Sequence, residues 1–266
     1  MIKKIRIFLA LALVVASSLV LVPLQMLSMK TGLWPETFIL KIWHGMILRA
    51  LGMRVHVKGT LSAQRPLLVA ANHISWTDIM VLGSMVDVKF IARADMAGWP
   101  LIGMLSKLQR TVFIERERKR SSGEQASEIA NRMAKGDAMV LFAEGSTADG
   151  NVVLPFKSTL FGAASMAISE GAAQTVFIQP VAIVYTRLHG VPLGRRHRPI
   201  AAWIGDEDLM PHLKVLMSEG ALDVEVHFGE PVAFSKGSNR KETAKLMERE
   251  VRAMMQAALA DPRPSR

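Results

Sequence analysis

Leu67-Leu68-Val69-Ala70-Ala71-Asn72-His73-Ile74-Ser75-Trp76-Thr77-Asp78 reads as a buried strand that runs into a helix. Leu67 to Ala71 is a short apolar run free of charge and preceded by Pro66, the pattern of a strand covered on both faces. A histidine at the C-terminal end of such a strand lies where open α/β sheets carry their ligand crevice. Five steps along one regular helix would leave His73 and Asp78 about 140° apart. The spacing therefore places His73 in the strand-to-helix turn and Asp78 in the first helical turn, its carboxylate reaching back to the imidazole. A carboxylate on one ring nitrogen fixes the tautomer and leaves the other free to take a proton from a hydroxyl. The competing reading makes His73 a polar helix-start residue and Asp78 a surface charge favoured by the helix dipole.

Composition narrows the setting. The chain has 266 residues, half of them hydrophobic, and a formal net charge of +10. That length suits one α/β domain with an appendage. The charge suits an anionic membrane surface, and no nucleic-acid motif accompanies it. The absence of cysteine excludes disulfides, thiolate nucleophiles and cysteine-based metal sites. His189 and His197 have no carboxylate at ligand spacing, so no metal site is expected.

Ile7 to Met29 is an uncharged apolar run long enough to cross a bilayer, preceded by Lys3, Lys4 and Arg6. Lys30, Lys41, Arg49 and Arg54 follow it. Basic residues on both sides fit a retained helix that dips into the membrane and returns to the same face. From Pro35, apolar residues at helical spacing predict an amphipathic helix in the interface, with Trp34 and Trp43 at headgroup depth and Lys41, His44 and Arg49 on its polar side. A core helix is the alternative there. Residues 1–52 are thus expected to form a membrane-docking helix pair, 53–260 the α/β domain and 261–266 a disordered tail.

Three further strand-borne blocks follow. Thr111 to Arg116 is a strand ending in arginine, and Ala138 to Phe142 a buried strand delivering Ala143-Glu144-Gly145-Ser146-Thr147, with Pro155-Phe156-Lys157 beyond. Thr175 to Val184 is a strand containing Pro180, which marks a bulge or argues against a central position. Leu222 to Phe228 alternates like an edge strand, and Asn239 with Glu242 caps a last amphipathic helix. Arg187, Arg195, Arg196 and Arg198 make a basic, membrane-facing loop.

Asn72-His73 with Asp78 resembles the first signature of the glycerolipid acyltransferase family, which includes 1-acylglycerol-3-phosphate acyltransferases and lyso-ornithine-lipid O-acyltransferases. The later blocks are similar to the family's other three, in the family's order. Arg110 stands where the family has glycine, Ala143 where it has proline and Thr147 where it has arginine. The resemblance implies an α/β fold with a mostly parallel central sheet flanked by helices. It implies a membrane-bound O-acyltransferase, on the cytoplasmic face of the inner membrane, that moves a fatty acyl group from acyl-carrier protein or coenzyme A to a lysolipid hydroxyl, with no bound cofactor or metal. His73 would be the base and Asp78 its orienter, with Asn72 or a backbone N–H of the turn as oxyanion donor. Arg116, Glu144, Gly145, Ser146 and Lys157 would seat the headgroup, and Pro180 would line the acyl-donor side. The family's majority points to 1-acylglycerol-3-phosphate as acceptor and phosphatidic acid as product. Thr147 points to the alternative, a lyso-ornithine lipid. A non-catalytic membrane lipid-binding protein is the reading from another class.

Overall fold

The computed structural model describes residues 2–114, 122–205 and 207–261. Two helices come first, α1 (Ile2–Thr31) and α2 (Glu36–Leu51), followed by β1 (Met53–Lys58) and β2 (Leu67–Ala71). Next are α3 (Thr77–Met85), β3 (Lys89–Arg93), α4 (Pro100–Leu108), β4 (Val112–Ile114), α5 (Ser122–Ala134) and β5 (Ala138–Phe142). The C-terminal part holds α6 (Gly162–Ser169), β6 (Thr175–Leu188), β7 (Val191–Pro192), α7 (Leu209–Glu219), β8 (Leu222–Phe228), β9 (Val232–Ser235) and α8 (Arg240–Ala260). The strands form one sheet in the order β1-β8-β6-β2-β5-β3-β4, with β7 and β9 also paired to β6. Pairing is parallel from β6 through β2, β5 and β3 to β4, and antiparallel where β6 meets β8.

The sheet is covered on both sides. Val69, Ala71, Val140, Ile183 and Val224 face α2, α3 and α7, while Leu68, Ala70, Met139, Leu141 and Ala182 face α5, α6 and α8. Burial of both faces is why β2 and β5 read as unbroken apolar runs.

Three expectations about strands and helices change. Leu222 to Phe228 is an interior strand between β1 and β6. Its polar residues are buried because β1 supplies partners. Arg54 and His56 reach Asp223, at 2.8 and 3.1 Å, and Lys58 reaches Glu225 at 3.0 Å. Pro180 sits in the middle of β6, opposite Ala70 of β2. Its carbonyl accepts the Gly229 N–H at 2.9 Å, so its missing donor falls at the corner between β8 and β9, where no ladder needs it. The register shift in β6 lies at Tyr185 to Arg187 instead. The third change is in α2, which is a packed helix. Trp43 is 6% exposed and its indole N–H donates to Ser18 Oγ, and His44 is buried against Gly83 of α3, where a Cβ would come within 2.3 Å of its Nδ1.

Helix α1 is long and apolar enough to cross a membrane, and its most apolar window is only 11% buried. Phe8, Leu19 and Val20 are among its exposed side chains. The domain nevertheless holds it near both ends. Arg6 donates to the Glu219 carbonyl at 2.7 Å and the Leu51 carbonyl at 3.2 Å, the C-termini of α7 and α2, where helix dipoles favour a cation. Gly220, at φ +57°, leaves the guanidinium the room it occupies. Near the other end, Gln25 Nε2 donates to the Leu108 carbonyl of α4 at 3.0 Å. An α1 fastened in this way lies along the domain with one flank on it and the other bare.

The departure at Arg110 also has an explanation. The residue adopts φ +55°, the left-handed conformation a glycine would take there. Its guanidinium makes a two-pronged contact with Glu36 of α2, at 3.2 and 3.0 Å, and Arg132 donates to its carbonyl. The left-handed conformation costs an L-residue about 1–2 kcal/mol, and the fork-shaped ion pair offsets part of that. Arg110→Gly is expected to change thermal stability little, because it removes strain and ion pair together. Arg110→Ala keeps the strain without the pair and should lower stability by up to about 1 kcal/mol, the scale of a part-exposed ion pair. Thermal unfolding of the two variants checks the order.

Candidate active site

β2 and β5 pair in parallel register from Leu67 with Ala138 to Ala71 with Phe142, so the turns that follow them emerge side by side. His73 leaves the end of β2 and its ring stacks on Phe142, with centroids 3.9 Å apart and planes within 14°. Asp78, one residue into α3, reaches back over the turn. Its Oδ2 lies 2.9 Å from His73 Nδ1 and accepts the Ile74 and Ser75 N–H groups at 2.7 and 3.0 Å. A carboxylate there is an acceptor, so Nδ1 carries the hydrogen and Nε2 is the lone-pair nitrogen. Asp78 is fully buried, while the His73 side chain keeps 18% of its surface. This supplies an oriented base at the strand end.

The turn is strapped from two directions. Ala148, after the third block, donates to the His73 carbonyl at 2.8 Å, and Trp203 donates to the Ile74 carbonyl at 2.9 Å. Thr147 Oγ1 in turn donates to the Trp203 carbonyl. The backbone of Trp203 thus ties the first block to the third, and its indole meets Trp99 edge-on at 6.4 Å. Nothing in the sequence around Trp203 marks it for the site. The 56-residue separation of Thr147 and Trp203 leaves no local pattern to read.

The other expected residues divide. Asn72 is buried and both ends of its amide are engaged by β6: Nδ2 donates to the Ile183 carbonyl at 2.9 Å and Oδ1 accepts the Ile183 N–H at 2.8 Å. That corrects its expected role as an oxyanion donor and makes it the clasp between β2 and β6. Gly145, at φ +73°, lets the Lys157 side chain lie across it, since a Cβ there would stand 3.0 Å from Lys157 Cδ. Lys157 and Ser146 are exposed beside the turn. Arg116 lies outside the described residues. Pro180 is buried in β6 on the face that carries Ile178 and Ala182, the face turned away from the His73 ring and Phe142.

Glu144 does not present its carboxyl to an open crevice. It is 1% exposed, and neither oxygen makes a hydrogen bond of ordinary geometry. Burial pushes its pKa up to about 8; the nearby N–H groups of His73 and Leu154 pull the other way without offsetting that, and the charge of Asp78 adds to the rise. A neutral carboxyl beside the dyad spares Asp78 a second buried negative charge. Among the described residues no group of three or more metal-ligating side chains comes together.

The family model named Acyltransferase matches residues 52–184, half of the chain and all the elements just described from the end of α2 to β6. A lyso-ornithine lipid O-acyltransferase of Brucella abortus is 51% identical over 259 residues, 97% of either chain. A second protein of that name, from Rhizobium meliloti, is 48% identical over 96% of this chain and 87% of its own. Among solved structures, the 1-acyl-sn-glycerophosphate acyltransferase PlsC from Thermotoga maritima superposes with a TM-score of 0.66 at 20% identity, covering 98% of this chain and 100% of its own, a likeness of fold. With its oriented histidine at the strand end and these relatives along its whole length, the chain belongs to the acyltransferase family and is an enzyme that acylates lysolipids.

Proposed function

We propose that the acceptor is a lyso-ornithine lipid, which reverses the preference for 1-acylglycerol-3-phosphate drawn from the family's majority. The observation that carries this reading is Thr147. Where the family's arginine would offer a cation to a phosphate, this chain has a hydroxyl that is spent on the Trp203 carbonyl. The names of the two relatives that match nearly the whole chain support the same acceptor. Lys157, lying over Gly145, is then the cation that this turn offers the headgroup, and Arg116 completes the headgroup site in this reading.

His73 Nε2 takes the proton of the acceptor hydroxyl while the oxygen attacks the carbonyl carbon of the acyl thioester. The bond to sulfur breaks, and the imidazolium returns the proton to the departing thiolate. Asp78 holds the imidazole in register and stabilises its cationic form. The donor is the thioester of acyl-carrier protein or coenzyme A. The bare flank of α1, with its exposed phenylalanine and leucines and basic residues at either end, seats the protein on the inner membrane from the cytoplasmic side.

Purified enzyme given labelled acyl-carrier-protein donor should acylate lyso-ornithine lipid in preference to 1-acylglycerol-3-phosphate. His73→Ala should lower turnover at least about a hundredfold with either acceptor. Transfer to the phosphate lipid alone would return the majority reading. Thr147→Arg should shift the ratio of kcat/KM values toward the phosphate acceptor by about tenfold, the scale of one charge-assisted contact. Glu144 has a consequence for stability. The unfolded chain releases this proton near the ordinary value of 4.5, whereas the folded chain holds it to about 8. The folded state therefore binds more protons between those values, and stability falls as pH rises through that window. Glu144→Gln should flatten this fall, as read by unfolding temperature against pH, and should keep most of the transferase activity.

A further inference from the structure

Behind the dyad stands a group that the acyl-transfer steps leave unused. Tyr185, the chain's single tyrosine, projects from β6 and is 2% exposed. Its hydroxyl donates to Asp78 Oδ1 at 2.8 Å, and Thr77 Oγ1 hydrogen-bonds the same phenol oxygen. The Asp78 carboxylate is thereby divided between two tasks. Oδ2 serves His73 and the turn's N–H groups, and Oδ1 serves the phenol.

We infer that Tyr185 is a positioning residue for acyl transfer: its phenol locks the plane of the Asp78 carboxylate and sets how much negative charge remains on the oxygen that faces His73. The inference rests on the reading of His73 as the base. A hydrogen bond to one carboxylate oxygen draws charge from the other, and in a buried site such shifts are felt strongly. Less charge on Oδ2 means that the imidazolium formed during proton removal is held less tightly. The imidazolium then returns its proton more readily to the leaving thiolate. Burial, with the Asp78 charge beside it, keeps the phenol pKa well above its ordinary value, so the group remains a donor throughout the working range. Thr77 fixes the rotation of that hydroxyl from within α3.

Other titratable groups stand on the elements packed around this cluster. Glu144 comes from the turn after β5 and Lys157 lies across Gly145. His212 of α7 accepts the Trp76 indole N–H at 3.0 Å, and His44 of α2 lies on Gly83 of α3. Arg187, near the end of β6, donates to the Gly190 carbonyl. Removing one hydroxyl from Tyr185 leaves all five in place, so a change in the pH profile between wild type and Tyr185→Phe reports on the phenol.

The experiment is the pH dependence of kcat and kcat/KM for acyl transfer to the preferred lysolipid, in detergent, for wild type, Tyr185→Phe, Thr77→Val and His73→Ala. Tyr185→Phe should keep KM for the acceptor, lower kcat about tenfold, and move the acid limb upward by roughly half a pH unit, since the freed charge on Asp78 holds the imidazolium more tightly. Thr77→Val should move the limb in the same direction by less. An acid limb that stays in place or moves downward in Tyr185→Phe would overturn the inference and leave Tyr185 a packing residue. If His73→Ala itself keeps wild-type turnover, the reading of the base fails, which is a separate outcome from an unmoved limb over an inactive His73→Ala. Should Tyr185→Phe not fold, tyrosine labelled with ¹³C at Cζ gives a single resonance in the wild-type protein. That line should titrate with the midpoint of the acid limb, and a line that stays flat through that midpoint would overturn the coupling.

Discussion

A carboxylate with no access to water organises this molecule. Asp78 is fully buried, and a bare charge in such a place would cost several kcal/mol. It is tolerable because donors from the imidazole, two backbone amides and a phenol surround it. Each donor fixes a piece of the fold. The amides hold the turn closed, the imidazole is brought over Phe142, and the phenol pins β6 to the start of α3. Loss of any one leaves charge unmatched rather than merely removing a contact, so geometry and chemistry at this point are one constraint.

The clasp at Asn72 extends that constraint across the sheet. Its amide exchanges two hydrogen bonds with Ile183, which fixes the end of β2 against the interior of β6. β5 aligns on the other side through Phe142, which pairs with Ala71 and carries the His73 ring. β2 and β5 therefore end in register beside the continuing β6, and the turns that follow these two strands meet above the sheet. Residues far apart in the chain become neighbours there by strand order alone, the usual logic of ligand sites in parallel α/β sheets.

Much of this was legible in the sequence. The two buried strands, the turn holding His73 and the reach of Asp78 follow from charge-free runs and from the angle that five helical steps would impose. The helix cap at Asn239 was equally local, and its side chain accepts the Lys241 N–H at 2.9 Å. What escaped depended on partners distant in sequence. Asp223, Glu225 and His227 alternate with apolar residues as on a solvent-facing strand, yet β1 answers the two carboxylates with Arg54, His56 and Lys58, and His227 pairs with Glu225 within its own strand. The apolar stripe of α2 predicts burial without saying whether lipid or protein covers it, and α1 and α3 do so. Tyr185 counted only as a rare residue in the composition, because nothing near it in the chain mentions Asp78.

Arg110 bears on the history of the chain. Where the family carries glycine, this chain holds a large side chain in a left-handed backbone, tied to Glu36 on a helix 74 positions earlier. An arginine arriving before that carboxylate would have brought strain without relief. A glutamate arriving first at the start of α2 would have found Lys89, whose Nζ stands 3.6 Å from it, and would have been harmless. The physics thus permits one order of substitution more readily than the other. Once both are present, Glu36 is the one that cannot change freely, since Arg110 would keep its strained backbone without the offsetting pair, and the start of α2 is thereby tied to the turn before β4.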